Sequence, residues 1–219
     1  MKITIISIFP EMFDGVLNAS MMRKAQDIGA VEFVHIPLRD FGIGPRSQVD
    51  DIPYGGGDGM VLKPEPIVSA IEHAKKQSPN AIVILPTPRG STYKQSDAKK
   101  FAKSADDLIF VCARYEGYDE RIAKYVDQQI RVGDYILTGG ELPAMTIIDS
   151  IVRLLHGVLG GETSAELESF QADDKAIEHP HYTRPEDFRG DKVPDVLLSG
   201  HHEEIKKWRD KNSQSLKQT

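Results

Sequence analysis

The sequence has little cysteine and no long apolar segment. Cys112 is the only cysteine among 219 residues, which excludes an intramolecular disulfide framework and a zinc site built from cysteines. The apolar run at residues 3–9 is broken by Thr4 and Ser7 and ends at Pro10, so it is too short for a membrane span or a signal peptide. We therefore predict a soluble, cytoplasmic protein of a reducing compartment.

Standard cofactor motifs are also missing. The chain contains neither the phosphate-binding pattern G-x-x-x-x-G-K-[ST] nor the zinc pattern H-E-x-x-H, and residues 42–47 lack the last glycine of G-x-G-x-x-G. These absences disfavour nucleotide hydrolysis of the Walker type and the standard dinucleotide-binding fold. His201 and His202 are neighbours that do not share a helix face, and Pro180 separates His179 from His181, so no zinc site is predicted.

Negative charge is concentrated in one segment. The net charge of −6 comes from 27 basic and 33 acidic side chains, which argues against a protein that coats nucleic acid through charge alone. The whole excess lies between Gly160 and Asp187, where eight acidic residues accompany only Lys175 and Arg184. The tail from Lys206 is basic, so it would meet a polyanion locally.

Short apolar runs alternate with helical patterns along the first 159 residues. The β-branched runs predict strands covered on both faces, at 3–8, 81–85 and 108–112. Apolar residues at helical spacing predict helices, at 11–28, 66–77, 119–128 and 143–156. The alternation predicts an α/β fold with a mostly parallel sheet.

The pattern changes after residue 159. Residues 160–178 are acidic and poor in large apolar side chains, which is typical of a flexible linker. From residue 179 the chain continues with prolines and a helical pattern at 201–211, for which Ser199 is a candidate N-cap. We predict a first domain of residues 1–159, a linker of residues 160–178, and a small, mainly helical domain of residues 179–219.

Three glycine-rich or polar segments follow apolar runs, where ligands of α/β proteins collect. Residues 53–60 have four glycines in five positions, which is typical of a backbone cradle for phosphate or nucleic acid, or of a flexible hairpin tip. Residues 113–121 place polar groups directly after a buried strand, which favours a site, although a helix start also fits. Residues 132–143 could clasp a flat ring between bent glycine segments, or form a plain strand-turn-helix connection.

Four strings run through these segments and beyond: YGGGDGM at 54–60, RYEGYDER at 114–121, VGDYILTGGELP at 132–143 and PHYTRP at 180–185. Together they closely resemble the bacterial tRNA (guanine-N1)-methyltransferase family, whose members modify the guanosine 3′ of the anticodon. The resemblance covers essentially the whole chain in the family's order. Several long strings are far more specific than one short motif.

The resemblance implies the fold, the assembly and the reaction. It implies a deep trefoil knot at the C-terminal end of the first domain, in the SPOUT class, which is an exception to the rule that chains do not thread loops. It implies a homodimer whose active site combines the knot of one subunit with the linker and C-terminal domain of the other. The implied reaction moves a methyl group from S-adenosylmethionine to N1 of the guanosine at position 37 of tRNA, which supports maintenance of the reading frame.

The resemblance also implies where the cofactor lies. S-adenosylmethionine would be bent in the knot, in a pocket built from residues 86–90, 113–117 and 132–143. Ala113 stands where the family usually has glycine, which puts a methyl group near the cofactor. The residues assigned to cofactor binding are Pro86, Thr87, Gly90, Ala113, Tyr115, Glu116, Gly117, Val132, Gly133, Asp134, Tyr135, Ile136, Leu137, Gly139, Gly140 and Pro143.

Within that pocket, the resemblance implies a division of roles. Val132, Tyr135 and Leu137 would hold adenine through main-chain groups. Tyr115 and Glu116 would lie near the ribose and the methionine end.

Methylation of guanine N1 needs a base, because N1 carries a proton and is a poor nucleophile until it is removed. The resemblance implies that a linker carboxylate before Ser-Phe is this base and that an arginine on the last knot helix steadies charge on guanine O6; Glu168 and Arg153 match these positions. The family has Asp where this chain has Glu168, which moves the carboxylate by about one bond length. Asp173 and Asp174 are alternative bases. A solvated acid and a structural salt bridge are the other interpretations of Glu168 and Arg153.

The expected RNA partner is the anticodon stem-loop. Exposed bases and phosphates could meet the glycine-rich segment and the polar side chains of the last domain, although a solvated helix face also explains the basic residues there. The residues assigned to RNA binding are Gly55, Gly56, Gly57, Gly59, Met60, His181, Tyr182, Arg184, Lys207 and Arg209. The resemblance implies that magnesium assists the reaction, but no carboxylate cluster identifies its ligands, so no residue is assigned to a metal.

Two other functions stay open. One is a nucleotide-dependent α/β enzyme of another chemistry, which would need an intact phosphate motif. The other is a catalytically weak or silent tRNA-binding protein of the same fold, which is favoured if Glu168 does not act as the base.

Overall fold

A parallel sheet forms the centre of the first part of the chain. The computed structural model describes residues 1–104, 106–160, 168–170, 174 and 176–215, and the chain divides into two compact units, Met1–Gly160 and Gly161–Thr219. The strands of the first unit are β1 (Lys2–Ser7), β2 (Glu32–Pro37), β3 (Asp50–Asp51), β4 (Val61–Leu62), β5 (Ile82–Thr92), β6 (Leu108–Val111) and β7 (Gln128–Arg131). Five of them form one sheet in the order β2-β1-β6-β5-β7 with parallel neighbours, and β3 pairs antiparallel with β4. The predicted α/β fold with a mostly parallel sheet is confirmed.

Helices cover both faces of this sheet. They are α1 (Asp14–Leu17), α2 (Ser20–Asp27), α3 (Pro64–Gln77), α4 (Gln95–Ser104) and α5 (Glu141–Val152), with 3-10 helices at Pro10–Phe13, Leu38–Phe41 and Glu120–Tyr125. Side chains alternate along the central strands, so Ile5 packs in one buried cluster with α5 while Ile6 packs in the other with α3. Burial on both faces explains why these strands read as continuous apolar runs.

Two predicted helices are shorter than their patterns indicated. The helix expected at 11–28 is interrupted between α1 and α2, because Ala19 is extended with φ −126° and ψ 162°. The helix expected at 119–128 is only the 3-10 helix Glu120–Tyr125. There the Asp127 carboxylate accepts a hydrogen bond from Val83 N at 2.8 Å and Asp127 N donates to Val83 O at 3.0 Å, which directs the chain into β7.

Other elements were extended, shifted or not expected. The helix expected at 143–156 is α5, which begins two residues earlier and ends at Val152. The sequence did not predict β2, β7 or α4. In α4 only Ala98 and Phe101 are buried, so its apolar stripe is narrow.

The second unit contains small elements. They are β8 (Ala176–Ile177), β9 (Asp187–Phe188), β10 (Asp191–Lys192), α6 (Asp195–Leu198), α7 (His202–Asn212) and β11 (Gln214–Ser215). The predicted helix at 201–211 is α7, but its N-cap is His201, and Ser199 Oγ instead accepts a hydrogen bond from His201 N at 3.2 Å. Much of the expected linker at 160–178 lies outside the described residues.

A helix that spans a membrane must be long and apolar throughout. Across the described ranges, no helix combines the length and apolar character that crossing a bilayer requires.

Candidate active site

A cavity of about 320 Å³ opens where residues 86–88 of β5 meet the loops that follow β6 and β7. This is the carboxyl-terminal edge of the parallel sheet, where open α/β sheets bind their ligands. The residues assigned to the cofactor line this cavity, except for Gly90 and Asp134. The volume lies at the lower end of the range of small-molecule sites.

Gly90 and Asp134 have other surroundings. A Cβ atom at Gly90 would collide with the main chain of Gln129 and Ile130, so glycine lets β5 approach β7. The Asp134 carboxylate lies 3.2 Å from an Arg131 nitrogen and its side chain is 83% exposed. Glycine at position 90 therefore serves strand packing, and Asp134 forms a surface ion pair.

The cavity also contains residues outside the three segments predicted to form it. Tyr118, Ile130 and Arg131 line it. The prediction from the sequence did not include Ile130 and Arg131, because β7 directly follows residues whose pattern predicts a helix. The available signal in the sequence was the spacing of Ile130 and Val132, two apolar residues separated by one charged residue, which is typical of a strand.

Two loops that line the cavity are joined by their main chains. Arg114 and Gly139 form an antiparallel bridge, and Gly140 N donates a hydrogen bond to Ala113 O at 2.8 Å. A Cβ atom at Gly140 would lie 2.8 Å from Cys112 Cα, which real Cβ atoms essentially never show. Only glycine permits this approach, so Gly140 is required for steric reasons.

A buried polar cluster lies behind these loops. Glu141 is fully buried, its Oε1 accepts a hydrogen bond from Ser7 Oγ at 2.7 Å, and its Oε2 is 2.9 Å from Arg114 Nε. The Nε–H bond of Arg114 does not point at Oε2, so the two groups form an ion pair without a hydrogen bond. The Arg114 guanidinium also lies over the Phe9 ring at 4.9 Å, and its Nη2 donates to Met12 Sδ at 2.6 Å.

Cys112 is a buried thiol beside this cluster. Burial raises the pKa of Cys112 well above its ordinary value, the charge of Glu141 raises it further, and Arg114 opposes both effects. The thiol is therefore kept protonated and acts as a small apolar group.

The glycine-rich segment at residues 53–60 contacts the loop after β6. Glu116 N donates a hydrogen bond to Met60 O at 3.0 Å, and Leu62 N donates to Gly117 O at 3.0 Å. A Cβ atom at Gly59 would lie 2.5 Å from Glu116 Cγ. The segment assigned to RNA therefore borders residues that line the cavity.

The two residues assigned to catalysis are placed in different units. Arg153 is the C-cap residue of α5 and is half-buried in the first unit. Glu168 belongs to the second unit and is half-buried, next to Ser169, whose Oγ accepts a hydrogen bond from Glu178 N at 3.1 Å. Asp174 is described and half-buried, whereas Asp173 lies outside the described residues.

The RNA-assigned side chains of the second unit lie near an aromatic cluster. The ring centroids of Tyr182 and Trp208 are 6.2 Å apart, as are those of His179 and Trp208. The rings of His179 and His181 are 4.8 Å apart and tilted by 51°. His181 Nε2 is 2.9 Å from Glu178 Oε2. Burial lowers the pKa of His179, and the nearby charges of His181 and Arg209 lower it further, which favours a neutral ring.

The remaining RNA-assigned residues of this unit are exposed. They are Arg184, Lys207 and Arg209, and Lys207 Nζ donates to Glu204 Oε1 at 2.9 Å. No group of three or more His, Cys, Asp or Glu side chains within the described part of the chain could hold a metal ion.

The fold and the cavity together define a class of protein. This is a parallel-sheet α/β protein with a ligand-sized cleft at the carboxyl-terminal edge of its sheet. The cleft is built largely from bent main chain and apolar side chains, which suits a flat ring.

Comparison with known proteins identifies the family. The family model described as tRNA (Guanine-1)-methyltransferase TrmD matches residues 1–219, so the chain belongs to this family. A tRNA (guanine-N(1)-)-methyltransferase of Anoxybacillus flavithermus is 54% identical over 215 residues, which is 97% of this chain and 86% of that protein. The corresponding protein of Bacillus subtilis is 50% identical over 97% of this chain and 87% of its own length.

A solved structure supports the same assignment. The crystal structure of a tRNA (m1G37) methyltransferase from Aquifex aeolicus superposes with a TM-score of 0.79 and 38% identity, covering 95% of this chain and 87% of the other.

Proposed function

We propose that this protein transfers the methyl group of S-adenosylmethionine to N1 of the guanosine at position 37 of tRNA, 3′ of the anticodon. One observation carries the proposal: a chain of this family has a cleft at the sheet edge that is formed largely by the residues predicted to bind the cofactor. A tRNA substrate implies a cytoplasmic location and a part in maintaining the reading frame.

The cavity suits S-adenosylmethionine in shape and chemistry. Val132, Tyr135 and Leu137 would hold adenine through main-chain groups, and the close approach of Gly140 to Cys112 leaves main chain rather than side chains at the wall. Tyr115 and Glu116 would lie near the ribose and methionine end. When bound, the cofactor supplies a methyl group on a positively charged sulfur, which takes the electron pair of the broken carbon–sulfur bond.

The side chains of this protein would prepare the guanine. The Glu168 carboxylate would accept the proton of N1, so that the N1 lone pair becomes available to form the new bond. The Arg153 guanidinium would stabilise the negative charge that develops on O6. Asp173 and Asp174 are the alternative bases.

The proposed enzyme is a homodimer with a shared active site. Several apolar side chains near the cavity are exposed, including Tyr135 at 58%, Ile136 at 81% and Leu142 at 48%. Exposed apolar surface of this kind marks interaction sites. In the dimer, Arg153 of one subunit would act with Glu168 of the other.

We further propose that the backbone of the first unit is knotted. The basis is the resemblance in sequence and the superposition on the Aquifex aeolicus structure. A knot would hold residues 86–90, 113–117 and 132–143 together as one pocket.

For the RNA, residues 55–60 and the exposed side chains of the second unit would contact the anticodon stem-loop. The aromatic cluster around Trp208 offers rings on which unpaired bases can stack. Arg184, Lys207 and Arg209 would meet phosphates. Magnesium assistance stays a prediction, since the described residues do not form a site for the ion.

The first experiment measures methyl transfer to a tRNA transcript with guanosine at position 37 and to a transcript with adenosine there. We expect labelled methyl groups only in the first transcript, and nuclease digestion should place them on N1 of that guanosine. Equal labelling of both transcripts would refute the assignment. Cofactor and tRNA binding without turnover would instead support the silent RNA-binding alternative.

A second experiment assigns the base. Glu168→Gln should lower the single-turnover rate by about a hundredfold or more while cofactor affinity stays unchanged. Asp173→Asn and Asp174→Asn are the matched controls, because they remove neighbouring acids without changing side-chain volume. If one of these controls loses the rate and Glu168→Gln keeps it, the base is that aspartate.

A third experiment tests the shared site. Arg153→Ala and Glu168→Gln should each be nearly inactive alone, with Arg153→Ala keeping its cofactor affinity. After subunit exchange in an equal mixture, about a quarter of wild-type activity should return, because half of the dimers then contain one site with both residues intact. No recovery despite exchange would place the two residues in the same subunit's site.

A further inference from the structure

Glu141 is a buried charged side chain that the proposed reaction does not use. It has no exposed surface, although it begins α5 directly after Gly139 and Gly140, which line the cavity. A carboxylate is costly to bury unless it is paired and hydrogen-bonded. The surroundings of Glu141 must therefore offset this cost.

The carboxylate joins three separate parts of the fold. Oε1 accepts the hydrogen bond from Ser7 Oγ at the end of β1, and Ser7 Oγ itself accepts one from Phe9 N at 2.9 Å. Oε2 lies 2.9 Å from Nε of Arg114, in the loop after β6. Glu141 thus connects the end of β1, the loop after β6 and the start of α5.

Arg114 in turn lies against the main chain of the cavity wall. A Cβ atom at Gly139 would lie 2.5 Å from Arg114 Nε and 2.6 Å from Glu141 Oε2, so the wall rests directly on the ion pair. Only 15% of the Arg114 side chain is exposed. A loss of charge at Glu141 would leave a buried guanidinium without its carboxylate, and Arg114 would move toward water.

We propose that Glu141 is a positioning residue for the cofactor. Its carboxylate holds Arg114 against Gly139, and it thereby fixes the loop after β6 and residues 139–140, which both line the cavity, before the cofactor binds. The inference rests on the proposed function. Fixed walls reduce the ordering cost of binding. Loss of the charge should therefore weaken cofactor binding and leave the chemical step largely intact.

The test compares Glu141→Gln with the wild-type chain, using S-adenosylhomocysteine as the titrant in calorimetry. Glutamine keeps the volume and can still accept from Ser7, but it lacks the charge. We expect the Kd to rise by about tenfold or more, while the single-turnover rate at saturating S-adenosylmethionine stays within about threefold and tRNA affinity does not change.

Tyr93→Phe is the control for a purely structural effect. Tyr93 hydroxyl lies 2.7 Å from Ser150 Oγ near the other end of α5, and Tyr93 does not line the cavity. This variant should lower the melting temperature but keep the Kd within about twofold. If it weakens binding as much as Glu141→Gln at an equal loss of melting temperature, the positioning role is wrong.

Two further variants keep the inference testable. In the double variant Arg114→Gln/Glu141→Gln, the Kd should rise by less than the product of the increases in the two single variants. Both substitutions break the same Arg114–Glu141 ion pair, so their effects are not independent. If Glu141→Gln does not fold, Glu141→Asp keeps the charge but withdraws the carboxylate from Arg114 by about one bond length, and it should raise the Kd about threefold; an unchanged Kd overturns the inference. A wild-type chain that fails to bind S-adenosylhomocysteine contradicts the proposed function instead.

Discussion

Residues 55–59 and residues 139–140 are both rich in glycine, yet different physical requirements select glycine in each. Gly139 and Gly140 line the cavity, whereas residues 55–59 do not line it and Gly59 lies against the lining residue Glu116. At Gly56, φ is +78° and a Cβ atom would meet nothing within 4 Å. At Gly140, φ is −80°, which any residue can adopt, but a Cβ atom would meet the main chain of Cys112 and Ala113. The first position needs a left-handed backbone, and the second needs space.

The difference predicts that the two segments respond differently to substitution. The segment at 139–140 is packed on a buried ion pair and forms a wall, so its shape depends on the tertiary structure. The segment at 55–57 is exposed and its geometry is set by local backbone conformation. Cofactor binding should therefore respond to substitutions in the wall, and RNA binding to substitutions in the exposed segment.

The largest effect is expected for Gly140→Ala. The added methyl group would lie 2.8 Å from Cys112 Cα and 3.0 Å from Ala113 N, and both neighbours are main chain that cannot move aside cheaply. Overpacking of this kind costs about 1–3 kcal/mol of stability. Because both Gly140 and Ala113 line the cavity, relief of the clash must displace the wall, and affinity for S-adenosylhomocysteine should fall by about a hundredfold. Calorimetry and thermal unfolding measure both changes. Wild-type affinity in a folded variant would contradict the spatial explanation.

Gly139→Ala should have an intermediate effect. Its methyl group would meet side-chain atoms, Arg114 Nε and Glu141 Oε2, rather than main chain. Side chains can shift, so we expect about a tenfold loss of cofactor affinity. The same titration checks this order. A greater loss than in Gly140→Ala would show that the ion pair is less able to move than the main chain.

Gly56→Ala should leave cofactor affinity within about twofold. The left-handed backbone costs alanine about 1 kcal/mol, and the exposed segment can absorb that cost without moving the wall. Affinity for the tRNA transcript should fall a few-fold if this segment contacts RNA, as fluorescence titration would detect. A loss of cofactor binding equal to that of Gly139→Ala would remove the distinction between the two segments.

The smallest effect is expected at the opposite edge of the sheet. Burial alone would raise the pKa of Asp107, but hydrogen bonds from Ser78 Oγ and Lys2 N, both at 2.7 Å, hold this pKa below its ordinary value of 3.8. A lowered folded-state pKa stabilises the fold above the ordinary value, and this contribution disappears as the pH falls through the lowered one. Asp107→Asn should therefore cost about 0.5–1 kcal/mol at pH 7 and less in acid.

Urea unfolding at pH 7 and at a pH below the ordinary Asp107 pKa of 3.8 measures this difference, and cofactor affinity at pH 7 should be unchanged. An unfolding difference that grows in acid would contradict the expected sign of the pH dependence. Weaker cofactor binding would show that the cavity depends on the distant edge of the sheet.

Predictions made from the sequence succeeded where local pattern and burial agree. The apolar run at 108–112 became β6, and the helical spacing at 66–77 became α3 with its start at Pro64. The expectation failed at 119–128, because the hydrogen bonds between Asp127 and Val83 join residues 44 positions apart. Such a contact leaves no local pattern, and it was the reason that β7 and the lining residues Ile130 and Arg131 were missed.

The site shows the same division. The strings at 114–121 and 132–143 located the cavity through resemblance, and the cavity gathers most of their residues. Gly90 was assigned to the cofactor through the same resemblance, but its surroundings show that strand packing explains its glycine. Domain boundaries and catalytic roles stay predictions.

By itself the sequence determined the alternation of buried strands and helices, since apolar periodicity reflects which faces lose contact with water. It also determined the family, because long strings in a fixed order are specific. Only the tertiary structure decided that Ser7, Arg114 and Glu141 meet behind the cavity wall. Ser7 and Glu141 are 134 positions apart in the chain, and a buried charge is stable only where the folded chain brings its partners to it.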